Sequence, residues 1–453
     1  MFKQKLPLTL LIISITFFLI ILFNSELTLE GRNRSYYLKY YILTIILIIF
    51  SIITFYINKK LKEYLNIVIL SIFFSVYGFQ TYLTLKYSGV TGQNYIEKKI
   101  KAAKKQGIEF DYRQKITVYK ELKDTKYKNL KVTVSPRKQL DRKLDILPLS
   151  GVSNSVTLNC NENGYYSTFI SDRYGFNNLD YEWDQKEIEY LLVGDSFVLG
   201  NCVNRPNDLT SILRKLSNKS VLNIGYSHNG PLLEYAGLRE YYHPKMKNII
   251  WVYYENDLDD FRAELNSNIL KKYIRDMNFK QNLINKQNEI DSIINKVISE
   301  ETNQNISLSN HFEDNLLFKI KKFIFLWNVR EIVFHRRLFK LKNKEKFIPY
   351  DEFIEIIKLA KNFADVNNSN FYFVYLPGID RYFSKVDDTE YRFIKNSLLN
   401  LEINFIDIHE EVFKKLDNPL KLFPFELPGH YTLEGYNKIG EAIFSNINSE
   451  KIN

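Results

Sequence analysis

The sequence predicts an α/β protein built on a parallel sheet and preceded by three transmembrane helices, and three observations carry that prediction. Three charge-free apolar segments open the chain, at Leu6–Phe23, Tyr40–Asn58 and Tyr64–Leu85. Further on, short apolar runs of strand type alternate with stretches of helical period, as in βαβ units. The downstream ends of those runs carry Gly, Ser and Asn, where a parallel sheet presents its ligand crevice.

Each opening segment is near the roughly 20 residues needed to cross a bilayer. No small-x-small cleavage site follows the first, so it reads as a span rather than a removed signal peptide. Lys3 and Lys5 precede the first span, and Lys59, Lys60 and Lys62 fill the second turn. Short loops rich in lysine stay in the cytoplasm, which puts everything after Leu85 outside. Lys98, Lys99, Lys101, Lys104 and Lys105 oppose this weakly and read as a solvated helix face. Residues 1–89 are thus expected to form the membrane anchor.

Residues 90–150 read as a linker with some strands: a polar helix, then Ile116–Tyr119 and Leu130–Val134, which alternate, then Pro136 and Pro148. From Val156 to Asp184 the text is rich in turn residues and includes Cys160 and Gly164. Leu191–Val193 is a fully apolar run, as in a strand covered on both faces, and it enters the tight turn of Gly194-Asp195-Ser196-Phe197. A serine there points into the crevice, beside the N–H groups of the next helix.

Asp208–Leu216 is a capped amphipathic helix and Ser220–Ile224 a second strand, followed by Gly225 and Gly230, where backbone can approach a ligand closely. Asn248–Tyr254 is a third strand, ending at Glu255-Asn256-Asp257. Residues 261–346 have helical period without strand signals and read as a helical insertion. Within it Phe318–Phe334 is strongly apolar but broken by Lys319, Lys321, Lys322, Arg330 and Glu331, which argues against a fourth span. Asp351–Ala364 is helical, Asn370–Leu376 and Asn404–Ile408 are strands, and His430 precedes a closing helix at Lys438–Ile447.

These residues, Ser196, Gly225, Asn256 and His430 in that order at strand ends, resemble the blocks of the SGNH/GDSL hydrolases over the C-terminal two thirds of the chain. The resemblance implies a flavodoxin-like fold with five parallel strands in the order 2-1-3-4-5, here over residues 151–453. It implies Ser196 as nucleophile and His430 as base. The oxyanion would be held by the N–H groups of Ser196 and His228 and the amide of Asn256, with Asp195, Gly225 and Gly230 in support. Three positions depart from the family pattern. His228 stands at the usual oxyanion glycine, Tyr254 at the third-block glycine, and Leu427 where an aspartate three residues before the histidine is usual. Glu426, one position further off, is the acid within reach of the histidine, but the preferred reading is a Ser-His dyad with the ring oriented by a carbonyl.

Composition limits the partners. Lys plus Arg number 62 against 52 acids, net +10, but no basic stripe interleaved with aromatics points to nucleic acid. Cys160 and Cys202 match no zinc or redox spacing, so neither metal nor cofactor is expected. Outside the cell they are expected to form a disulfide. The resemblance implies a serine esterase anchored in a bacterial inner membrane, its domain on the outer side, acting on O-acetyl or other ester groups of envelope glycans or lipids. An O-acyltransferase and a non-catalytic carbohydrate-binding protein of the same fold are the alternatives.

Overall fold

A computed structural model describes residues 6–28, 34–87, 93–142, 144–312, 323–330, 349–383 and 388–449. The chain divides into two compact units, residues 1–91 with 315–341, and residues 92–314 with 342–453.

The first unit holds α1 (Leu6–Leu22), α2 (Arg34–Tyr56) and α3 (Lys59–Tyr87). Its polarity is inverted relative to a water-soluble bundle. Ile12, Ile49 and Phe74 are more than half exposed, while Ser14 and Ser51 are buried and bond to each other across α1 and α2, Oγ to Oγ 3.1 Å. Hydroxyl groups turned toward a neighbouring helix and aliphatic groups turned away suit a lipid solvent. The expectation of three spanning helices is corrected here. Among the described residues two helical stretches are long and apolar enough to cross, Tyr37–Tyr56 and Lys59–Thr84, and the first apolar helix is shorter. The regular part of α1 stops at 17 residues, about 25 Å at 1.5 Å per residue, and the chain continues as a wider helical turn, Phe23–Thr28. Part of the helical insertion also lies in this unit: Tyr77 donates to the Ile324 carbonyl at 2.8 Å, and Val329 N–H donates to Gln80 Oε1 at 3.1 Å.

The second unit opens with α4 (Gln93–Lys105) and α5 (Lys115–Thr125), then β1 (Lys131–Val132), β2 (Val156–Leu158) and β3 (Thr168–Ile170), which form a small three-stranded sheet in the order β1-β2-β3. Ile116–Tyr119, which alternates like a strand, is instead a turn of α5. Four residues are too few to separate the two periods, and burial of Val118 and Tyr119 against Leu130 and Leu158 selects the helix.

The main sheet follows from β4 (Ile188–Gly194), the short α6 (Ser196–Leu199), α7 (Leu209–Ser217), β5 (Val221–Asn223), α8 (Pro231–Tyr241) and β6 (Met246–Tyr254). Then come α9 (Asp257–Glu264), α10 (Asn268–Arg275), α11 (Gln287–Phe312), α12 (Tyr350–Val366), β7 (Asn370–Leu376), α13 (Thr389–Asn400), β8 (Asn404–Asp407) and α14 (Leu433–Ser449). The strands are all parallel in the order β5-β4-β6-β7-β8, with Gly194 opposite Val252 and Tyr254 opposite Leu376. Side-chain alternation divides the core into two. Leu191, Val193, Trp251, Tyr253 and Phe373 pack on one face with α8 and α12, and Tyr190, Leu192, Ile250, Val252 and Val374 on the other with α7 and α14. Both faces are covered, which is why these strands read as unbroken apolar runs.

Candidate active site

The carboxyl end of β4 delivers Ser196. Asp195 caps α6, its Oδ1 accepting from Phe197 N–H at 2.8 Å, so the serine is held at the first helical position. Gly225, at the end of β5, leaves room for this turn: a Cβ there would lie 2.5 Å from Val198 Cβ and 2.9 Å from the Asp195 carbonyl oxygen. Ser196 Oγ is 3.1 Å from Asp195 Oδ2 and 2.8 Å from His430 Nε2.

His430 sits in the loop before α14. The segment is pinned by Tyr431, whose buried hydroxyl donates to the Pro377 carbonyl at 2.7 Å, and the imidazole rests on Phe197 with ring centroids 4.7 Å apart. Tyr254, at the expected glycine position, stacks on the same phenylalanine with ring centroids 4.1 Å apart.

The acid behind the imidazole is Glu162. Its Oε2 accepts from His430 Nδ1 at 3.0 Å and from the His430 backbone N–H at 2.5 Å. A carboxylate on the ring corrects the expected dyad, and it is not Glu426, whose Oε1 accepts from Asn418 Nδ2 at 3.1 Å. Phe425 and Glu426 both adopt left-handed backbone angles, φ 58° and 55°, and that turn carries the Glu426 side chain away. Glu162 precedes Ser196 in sequence, far from the loop that carries His430. The cysteine positions are the sequence signal that could have found it. Cys160 lies two residues before Glu162 and Cys202 six after Ser196, and the pair forms a disulfide with Cα atoms 4.8 Å apart.

The electrostatics fit a base with an orienting acid. Burial raises the Glu162 carboxyl, but the charge and hydrogen bonds of His430 and the charge of Lys99 outweigh it and hold the group at about 2. Burial pulls His430 down, yet Glu162, by charge and hydrogen bond, together with Asp195, leaves it raised above an ordinary histidine. With a carboxylate on Nδ1, the neutral ring carries its proton there and turns the Nε2 lone pair toward Ser196. Lys99 is the buried member of the lysine run on α4, 4% exposed, so it does not belong to a solvated face. Burial also raises Asp195.

The residues expected around the oxyanion lie on the neighbouring strand ends. His228 adopts φ 60°, the left-handed conformation the usual glycine would take, and its side chain is exposed. Its loop is tied down by Glu264, which accepts from Gly230 N–H at 2.5 Å and from Leu232 and Leu233 N–H at 3.0 and 3.2 Å. Asn256 lies in the turn after β6 with its Oδ1 buried and unpaired, next to Asp257, whose Oδ2 accepts from Tyr254 N–H at 2.8 Å.

Glu162, Cys202 and His430 also form the one grouping among the described residues with metal-ligand spacing. The Cys202 sulfur is bonded to Cys160, and Glu162 is engaged by His430, so no thiolate is available there.

Fold and site together define an α/β protein with Glu, Ser and His converging at the carboxyl edge of a parallel sheet. The sequence matches no family model and no curated protein. Among solved structures it is similar to a chain described as a lipolytic protein of the G-D-S-L family from Desulfitobacterium hafniense, with 14% identity and a TM-score of 0.32 over 57% of this chain and 99% of that one. It is also similar to a carbohydrate esterase of family 2 with a carbohydrate-binding domain from Corynascus thermopiles, with 9% identity and a TM-score of 0.30 over 58% of this chain. Of that second protein the chain spans 66%.

Proposed function

We propose that the protein is a serine esterase of SGNH/GDSL type, held at the outer face of a cell membrane and acting on acyl esters of envelope glycans or lipids. The observation that carries this reading is the 2.8 Å approach of Ser196 Oγ to His430 Nε2 with Glu162 on the far nitrogen. A carbohydrate-binding protein of the same fold has no use for a half-buried Glu-His-Ser relay.

In this reading Ser196 Oγ attacks the ester carbonyl while its proton passes to His430 Nε2, and Glu162 stabilises the imidazolium. The developing oxyanion is met by the Ser196 and His228 N–H groups and the Asn256 amide. His430 then returns the proton to the leaving alcohol. The Ser196 acyl ester is released to water, or to a second sugar hydroxyl if the enzyme is a transferase. The outer location rests on the lysines flanking the apolar helices and on the disulfide, which persists in oxidising compartments.

Labelling of the purified protein with a fluorophosphonate is the test: a single adduct on Ser196 is expected, and no adduct rejects the esterase reading. Acetyl transfer measured with and without a glycan acceptor then separates hydrolysis from transfer. A phosphatase fused after Asn453 should be active only if that end lies outside.

A further inference from the structure

The acid comes from a loop that has little secondary structure of its own. Residues 159–167 connect β2 and β3, two strands of three residues each. A carboxylate on such a loop must be held to within a fraction of an ångström to fix an imidazole, and loops do not supply that unaided.

Several contacts hold the outer side of this loop: Asn161 Nδ2 donates to the Asp111 carbonyl at 2.7 Å, and Asp111 N–H to the Gly164 carbonyl at 2.8 Å. On the side facing Ser196, three links run to Asn201 and Cys202, and Thr168 N–H donates to Asn204 Oδ1 at 2.9 Å just beyond them. Cys160 is bonded to Cys202, Asn163 Nδ2 donates to the Cys202 carbonyl at 3.1 Å, and Asn159 Nδ2 donates to Asn201 Oδ1 at 2.9 Å. Asn201 and Cys202 follow directly on α6, whose first residue is Ser196; Asn201 N–H donates to the Ser196 carbonyl at 3.0 Å. The covalent bridge therefore joins the acid's loop to the nucleophile's helix. Its Cys202 sulfur lies 3.9 Å from His430 Nδ1, alongside the hydrogen bond it serves.

We propose that the Cys160–Cys202 disulfide is a positioning device for Glu162, so that opening the bond lowers turnover by releasing the acid while the sheet stays folded. The proposal rests on the Glu162–His430–Ser196 reading of the site. Opening proceeds by thiol–disulfide exchange. A thiolate of an external dithiol attacks one sulfur and displaces the other as a thiolate. The dithiol's second thiolate then cleaves the mixed disulfide, leaving two cysteine thiols and an oxidised dithiol.

The test uses the full chain, oxidised or opened with dithiothreitol, together with a Cys160→Val/Cys202→Ala variant that keeps apolar bulk without the bond. Hydrolysis of a p-nitrophenyl ester should lose about 100-fold in kcat with KM unchanged, the scale of a misplacement near 1 Å. The same loss should not add to that of Glu162→Gln, since both act through one hydrogen bond. A second readout needs no activity: the His430 imidazole titration by NMR should fall on opening, because Glu162 holds it up against burial and the Lys99 charge. An unchanged titration and kcat in the opened protein would overturn the proposal. So would additive losses with Glu162→Gln, or global unfolding of both opened forms, which would make the bond a staple of stability. If the oxidised protein takes no fluorophosphonate label, the esterase reading falls, and the titration still decides whether the bond positions Glu162.

Discussion

Glu162 grips His430 twice through a single oxygen, Oε2, which accepts both the ring Nδ1–H and the backbone N–H of the same residue. The imidazole is thus oriented relative to its own main chain, and the carboxylate has two reasons to stay ionised.

The first consequence is a division between two glutamates. Glu162→Gln should lower kcat by several orders of magnitude, as loss of the acid does in other triads, by about 10⁴. Glu426→Gln should leave kcat unchanged, because Glu426 bonds to Asn418. Steady-state kinetics on one ester substrate decides this, and the reverse ranking would transfer the role to Glu426.

Ser196→Ala and His430→Ala should each abolish ester hydrolysis, and the double variant should be no worse than either, because members of one catalytic unit are not additive. Turnover by Ser196→Ala at the wild-type rate would refute the assignment.

The pH profile carries a sign. The base must be neutral to accept the Ser196 proton, and His430 is raised, so the acid limb of kcat/KM should lie above an ordinary histidine. Glu162→Gln removes the largest raising influence and leaves burial, which should move the limb to lower pH. Lys99→Met removes a charge that pulls His430 down and should move it to higher pH. Shifts of equal sign in the two variants would contradict this account of the electrostatics.

Gly429 makes room for the acid. An added Cβ would stand 2.8 Å from Glu162 Oε2, the movable end of a side chain, so the carboxylate must give way. Gly429→Ala should therefore reduce kcat while leaving the thermal midpoint within a degree or two, and a large drop in that midpoint would mean the backbone yields instead.

Asn256→Ala should cost about 3 kcal/mol of transition-state stabilisation, the loss typical of one oxyanion donor, with folding intact. Undiminished kcat would remove Asn256 from the oxyanion site.

Much of this was legible in sequence because the main sheet obeys simple rules. Fully covered strands are continuous apolar runs, and the turns at their carboxyl ends name themselves by Ser196, Gly225 and Asn256. Tyr254 departs from the glycine of the pattern, and its ring stacks on Phe197. Glu162 was not legible, since it reaches His430 across 268 positions and lies in a turn-rich stretch with no period. Ile116–Tyr119 lies in a helix although it alternates, because four residues are too few to exclude one. The first apolar segment has the composition of a span, and only backbone geometry shows its regular helix ending at Leu22.

The acid loop leans on the chain ahead of it, and this fixes where a working soluble piece can begin. Thr133 Oγ1 bonds to Asn159 Oδ1, Tyr166 donates to the Arg113 carbonyl, Asn161 to that of Asp111, β1 pairs with β2, and Phe110 packs on Phe425. A fragment trimmed to start at residue 151 would keep Glu162, Ser196 and His430 and yet lose every one of these supports. Expression of the second compact unit alone should start near Gly92, where that unit itself starts. The stretch that reads as a linker belongs to the second compact unit and braces the loop that carries Glu162.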